Sequence, residues 1–186
     1  MWNFLTLDGF FEGAKSWELD WLPQVWCEEL EQFSIEQLRS ADRLLFGRLT
    51  YEGMASYWQS AQGEIAAFMN GLPKVVFSRT LKRAEWANTR LVRTNAVEEV
   101  AQLKRQGEAN MFVFGSADLS ATLMAHDLFD EYRLALAPVV LGAGTPLFGR
   151  NLDRLKLKLL EARPLSSGCI ILRYEPDRTD PRGRSG

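Results

Sequence analysis

A chain of 186 residues, 46% hydrophobic and 25% charged, has room for one domain of ordinary size with a substantial buried core. This balance excludes a disordered or fibrous chain, and a formal net charge of −2 gives no electrostatic reason to expect nucleic acid or an anionic membrane as a partner. The two cysteines, Cys27 and Cys169, form no CxxC pair, and no stretch resembles a signal peptide or approaches the roughly 20 apolar residues of a membrane span, so buried free thiols and a cytoplasmic location are expected.

Residues 2–6 read as a short first strand before the turn pair Asp8-Gly9. Residues 10–24, holding Phe10, Phe11, Trp17, Trp21 and Pro23, read as a loop. A helix is expected over 25–40, where Val25, Trp26, Leu30, Phe33 and Leu38 recur at roughly helical spacing. Arg43-Leu44-Leu45-Phe46-Gly47 is a compact apolar run closed by Gly, which predicts a buried strand, and 50–57 reads as the next helix. A further helix over 64–70 is halted by Gly71 and Pro73. Residues 74–78 form the next predicted buried strand, 89–93 a shorter one, and 97–106 a helix stopped by Gly107. Met111-Phe112-Val113-Phe114-Gly115 reads as the fourth buried strand and 117–125 as its helix. The strand-like stretches 132–140, 156–162 and 169–174 follow with no helix between them, so they should be largely antiparallel. The tail 176–186, with two Pro, two Gly and alternating charges, reads as disordered. The expectation is an α/β domain over 1–175: parallel βα units first and an antiparallel hairpin last.

Three strand ends carry the chemistry, because ligands of open α/β sheets sit beyond the carboxyl ends of the strands. At Gly47-Arg48-Leu49-Thr50 a strand ends on Gly and a helix starts at once, so free backbone N–H groups, the Thr50 hydroxyl and the Arg48 guanidinium could cradle a phosphate. Phe114-Gly115-Ser116 repeats the arrangement, with Gly115 allowing close approach of a pyrophosphate. Ser78-Arg79-Thr80 puts a hydroxyl beside a guanidinium, which suits the 2′-phosphate that distinguishes NADPH from NADH. Read singly, each is equally a plain turn, an ordinary Ser or Thr cap, or a solvated arginine.

Their order resembles the dihydrofolate-reductase-like superfamily. The match is nearest to the C-terminal reductase domain of the bifunctional riboflavin-biosynthesis deaminase-reductase and its free-standing forms. It rests on Thr6-Leu7-Asp8-Gly9, Gly47-Arg48-Leu49-Thr50-Tyr51-Glu52-Gly53, Ser78-Arg79-Thr80-Leu81, Phe112-Val113-Phe114-Gly115-Ser116 and Pro138-Val139-Val140-Leu141-Gly142-Ala143-Gly144. The resemblance implies a three-layer fold with a mixed, mostly parallel central sheet, a homodimer and an NADPH cofactor. It implies that Gly47, Arg48 and Thr50 contact cofactor phosphates and that Ser78 and Arg79 hold the 2′-phosphate. Gly115, Ser116 and Leu119 would lie against the pyrophosphate and nicotinamide half. Thr6 and Asp8 would line the substrate side, where Asp8 could orient a ring or relay a proton; as part of an Asp-Gly turn it could equally bond neighbouring backbone. Trp17 is the aromatic best placed to stack on a planar substrate, whereas Trp21 and Trp26 read as packing. His126 reads as a helix-end residue without a catalytic role, Glu28, Glu29 and Glu31 as a solvated face, and no metal site is expected.

The activity implied is NADPH-dependent reduction of a small heterocycle, as by a 5-amino-6-(5-phosphoribosylamino)uracil reductase. The sequence lacks the H-x-E and P-C-x-x-C signature of the zinc deaminase partner and offers no clear ribose-phosphate cluster. A reductase of a pterin-like or xenobiotic substrate, and a non-catalytic nucleotide-binding dimer module, are the alternatives.

Overall fold

The structure, a computed structural model, describes residues 1–107, 110–149 and 153–179. Its first elements are β1 (Trp2–Thr6), the two-stranded partner β2 (Phe10–Glu12), and the helices α1 (Leu22–Val25) and α2 (Glu28–Arg39). Then come β3 (Arg43–Gly47), α3 (Arg48–Trp58), α4 (Glu64–Gly71), β4 (Lys74–Phe77), β5 (Thr89–Val92) and α5 (Ala96–Arg105). The last third holds β6 (Met111–Val113), α6 (Ala117–Ala125), β7 (Tyr132–Ala137), β8 (Thr145–Pro146), β9 (Leu157–Pro164) and β10 (Ile170–Pro176).

Two four-stranded sheets, β5-β4-β3-β6 and β1-β7-β10-β9, meet where Trp2 bridges Phe114 in parallel. The pairings β3–β4, β3–β6, β4–β5 and β1–β7 are parallel, while β10 runs antiparallel to both β7 and β9. This is the expected mixed sheet with its closing hairpin. Strand alternation splits the core in two. Leu44, Phe46, Val76, Phe112 and Trp2 face α2, α3 and α4 in one cluster; Leu45, Val75, Val113 and Leu5 face α5 and α6 in the other. The result is three layers. In the interior strand β7, Ala135 and Ala137 are buried.

Several element boundaries differ from the expected ones. The helix expected over 25–40 is broken: Pro23 starts α1, Trp26 and Cys27 are extended, and α2 begins only at Glu28. The break lets Trp26 pack its ring against Phe4, at 6.1 Å between centroids. Glu28, Glu29 and Glu31 then occupy the first turn of α2, where carboxylates complement the helix dipole. Residues 10–24 are not all loop, since β2 pairs with β8. The helix α3 begins at Arg48 rather than Thr50, and β7 stops at Ala137 because Pro138 cannot continue the ladder. Cys169 is buried and Cys27 half-buried, both as free thiols. Of the expected tail, residues 180–186 lie outside the described residues; Pro176 closes β10, and the Asp177 N–H donates to the Lys156 carbonyl at 2.9 Å.

Two charged side chains tie neighbouring elements together. Lys74 is buried at the start of β4, and its ammonium donates to the carbonyls of Met69 (2.8 Å), Asn70 (3.1 Å) and Leu72 (2.7 Å). It thereby satisfies carbonyls that the end of α4 leaves open. At the other sheet end, Glu131 receives Arg133 Nε at 2.9 Å and Arg173 Nε at 2.6 Å, tying β7 to β10. Burial alone would raise the Glu131 carboxyl; the two guanidiniums outweigh it and hold the group down from 4.5 to about 2. A depressed carboxyl contributes stability that is present above its unfolded value and lost as pH falls toward its folded one. Glu131→Gln is therefore expected to lower stability by about 1–3 kcal/mol at neutral pH and to flatten the acid limb between 4.5 and about 2. Denaturant titrations across that window check it; parallel acid limbs in the two proteins would refute the assignment.

Candidate functional site

The strands β3 and β6 are parallel neighbours, but the helices that follow them pack on opposite faces of the sheet: α3 with α2 and α4, α6 with α5. Where following helices diverge in this way, a crevice opens beyond the strand ends, the usual ligand position in α/β sheets. Here it is a cleft of about 490 Å³, and its wall includes Gly47, Arg48, Thr50, Gly115, Ser116 and Leu119.

The turn after β6 takes two successive left-handed residues, Gly115 (φ 55°) and Ser116 (φ 56°, ψ 56°). Gly115 needs this freedom, and a Cβ there would stand 3.2 Å from Thr50 Cγ2. The conformation turns Ser116 toward α3. Its N–H donates to Thr50 Oγ1 at 3.0 Å, while its Oγ accepts from Gly47 N–H at 3.0 Å and donates to Phe114 O at 3.1 Å. Asn3 completes the junction: its Oδ1 accepts the Gly115 N–H at 2.5 Å. That bond fixes the amide's orientation, leaving Asn3 Nδ2 buried and without a hydrogen-bond partner.

The expected cradle is thus corrected in detail. The N–H groups of Gly47, Gly115 and Ser116 are not free, and Ser116 does not cap its own helix. What faces the cleft is instead the first turns of α3 and α6, neither of which has a side-chain cap. Two positive dipole ends therefore converge on one opening. Arg48 stands at the first position of α3, joined to Glu52 at 2.9 Å.

Beyond this end the wall becomes apolar. Trp17 has φ 66°, and its N–H donates to Glu12 Oε2 at 2.8 Å. Its indole lies so close over Gly53 of α3 that any Cβ there would overlap the ring. Phe11, Leu19, Leu22 and Met54 line the same region.

Other sequence candidates lie elsewhere. Ser78 Oγ accepts from the N–H groups of Thr80 (3.2 Å) and Leu81 (2.9 Å), shaping the turn after β4, with Arg79 exposed beside it; neither residue lines the cleft, although Phe77 does. Thr6 is buried, and its hydroxyl donates to Asp8 Oδ1 at 2.7 Å. Asp8 also accepts from the N–H groups of Leu141 (3.1 Å) and Gly142 (2.8 Å), and neither Thr6 nor Asp8 lines this cleft. The Thr6 hydroxyl is the main cause holding the Asp8 carboxyl below its usual value. Trp21 is in the core, and His126 ends α6 with Nδ1 2.9 Å from Thr122 O. Asn3, Glu12 and Gly53 make contacts at the site to which the sequence alone assigned no role. A polar residue inside an apolar strand and a glycine inside a helix were the available signals for the first and last.

The RibD C-terminal domain profile matches residues 1–171, and the chain belongs to that family. The uncharacterized protein YyaP of Bacillus subtilis (strain 168) is 32% identical over 175 residues, which span 91% of this chain and 90% of YyaP. A Shewanella sp. PV-4 protein named for riboflavin biosynthesis superposes with a TM-score of 0.80 at 23% identity, over 95% of this chain and 97% of its own. Enterococcus faecalis dihydrofolate reductase, solved with NADP(H), superposes with a TM-score of 0.61 at 13% identity, over 94% of this chain and 93% of its own. The expected family and the dihydrofolate-reductase-like fold are both borne out.

Thr50→Val keeps the side-chain shape but removes the acceptor of a buried N–H. Without any ligand it should destabilise the protein by about 1–3 kcal/mol. Urea unfolding measures this; unchanged stability would mean that the Thr50–Ser116 bond does not hold the two helices.

Proposed function

We propose that this chain is an NADPH-dependent reductase of the riboflavin-pathway reductase type. The observation that carries the proposal is the convergence of two uncapped helix N-termini on one cleft at the point where the fold's helices diverge. A pyrophosphate fits this arrangement chemically: unsatisfied N–H groups and positive dipole ends favour its charge, and Gly115 leaves room at the backbone. Family membership and the NADP(H) complex of a protein with the same fold support the same ligand class.

In this reading the phosphates lie against the first turns of α3 and α6, where Arg48 turns to them and Leu119 lines the wall, while Gly47, Thr50, Gly115 and Ser116 shape the crevice through the bonds they make to one another and to Asn3. Ser78 and Arg79 take the 2′-phosphate from the neighbouring strand end, with Arg79 exposed and outside the ion pairs of the described residues. Asn3 Nδ2 offers a buried donor to a carbonyl at the junction. NADPH, when bound, would supply a hydride, that is one proton with two electrons, to an electron-poor carbon, and a second proton, from solvent, would go to the adjacent heteroatom. The protein's part is to hold both partners face to face and to exclude water from the apolar wall. Asp8 enters the proposal through the backbone it anchors, Leu141 and Gly142, beside the first strand's end.

Arg79→Ala should weaken NADPH about tenfold, the worth of one charge-assisted phosphate contact, and leave NADH nearly unchanged. Tryptophan fluorescence titration with each nucleotide reads both constants. Equal losses for the two would remove Arg79 from the 2′-phosphate site, and micromolar binding of neither would end the reductase reading.

A further inference from the structure

We propose that the substrate end of the cleft takes a flat heterocycle carrying no phosphate group, so that this chain does not act on the phosphoribosyl compound its family resemblance implies. This rests on the reductase reading above and adds the substrate class.

Charge carries the first half of the argument. Among the described residues lining the cleft, Arg48 is the one cation, and Glu12 and Asp118 are the carboxylates. Arg48 stands at the nucleotide end, in a half-exposed pair with Glu52. Both uncapped helix N-termini belong to that end as well. The opposite end holds Glu12 and no cation, and Lys15, exposed in the same loop, is not part of the wall. A phosphate dianion needs several cations or N–H groups to replace its water. Here it would meet a carboxylate instead, with a cofactor of the same charge sign already in the cleft.

Shape carries the second half. Phe11, Leu19, Leu22 and Met54 offer apolar surface, and the Trp17 indole stands over Gly53 of α3, with 38% of the residue exposed. The ring is held rather than loose. Glu12 fixes its backbone through the 2.8 Å bond to the Trp17 N–H, and Met54 is fixed in turn by Trp58 Nε1–H on its Sδ at 3.2 Å. A pre-set indole face beside aliphatic side chains selects planar rings. The Glu12 carboxylate has acceptor capacity left for a ring amino or N–H group. The preferred ligand is thus a phosphate-free, neutral or cationic heteroaromatic ring bearing such a donor.

The test begins with NADP⁺ titrated into the protein and followed by tryptophan fluorescence. The NADP⁺-saturated protein is then titrated calorimetrically with 5-amino-6-(5-phosphoribosylamino)uracil, with its dephosphorylated riboside and with the phosphate-free bicyclic ring lumazine. The riboside and lumazine are expected to bind at least about tenfold tighter than the phosphoribosyl compound. Trp17→Ala should weaken them about fivefold and leave NADP⁺ affinity unchanged, and Trp17→Phe should retain most of the wild-type preference. Equal or tighter binding of the phosphoribosyl compound overturns the inference while leaving the reductase reading intact. So does failure of both phosphate-free rings to bind, or indifference to Trp17→Ala. Absence of NADP⁺ binding overturns the reductase reading and this inference with it.

Discussion

The site depends on one clasp. Ser116, in a left-handed conformation, joins the starts of two helices that would otherwise repel. Its N–H reaches Thr50 of α3, and its hydroxyl takes the Gly47 N–H from the end of β3. Bringing two helix N-termini together sets like partial charges side by side, and a non-glycine residue in the left-handed region costs about 1–2 kcal/mol more. Two buried hydrogen bonds, worth about 0.5–1.5 kcal/mol each, are comparable to the conformational cost. The like partial charges of the two helix starts remain, and an anion between them would be favoured.

Among the helices of the described residues only α5 has a side-chain cap, where Asn95 accepts the Val97 N–H; α2 and α4 lack one but carry carboxylates in their first turns. The start of α3 has neither an acidic residue nor a cap, and α6 has Asp118 but no cap. Asn3 adds to the imbalance, because the strand junction uses its oxygen and leaves its Nδ2 without a partner. The Asn3 amide nitrogen and two uncapped helix starts thus border one crevice, while the other buried polar atoms without a partner among the described residues, Trp21 Nε1 and Ser167 Oγ, lie outside it.

Much of the fold was legible because strands buried on both faces appear as unbroken apolar runs. Residues 43–47 and 111–115 showed both the strand and the glycine that ends it. The break before α2 was not legible, since Trp26 and Cys27 keep helical spacing in sequence while tertiary packing against Phe4 pulls them extended. The strand ends of the candidate site were readable for the same reason as the strands. Their partners were not: Ser116 looks like an ordinary cap until Gly47, 69 residues away, is placed beside its hydroxyl. Asp8 looks like a local turn residue and is one in part, through Thr6, but its remaining bonds reach Leu141 and Gly142, 133 and 134 residues on. Sequence patterns expose local preference; contacts across the sheet decide what each polar group has left to offer.

Arg48 illustrates the consequence. A guanidinium at the first position of a helix is disfavoured by the dipole, so its presence there needs a compensating charge. The structure supplies one in Glu52, one turn on, in a pair that is partly exposed on both sides and therefore worth at most about 1 kcal/mol. So weak a pair holds the side chain near the cleft mouth without committing it. A phosphate arriving at the two helix ends presents more charge and better geometry than a single half-exposed carboxylate, and the guanidinium can turn to it at little cost. A cation placed where the helix disfavours it, with only a weak partner, is what the proposed anion site requires.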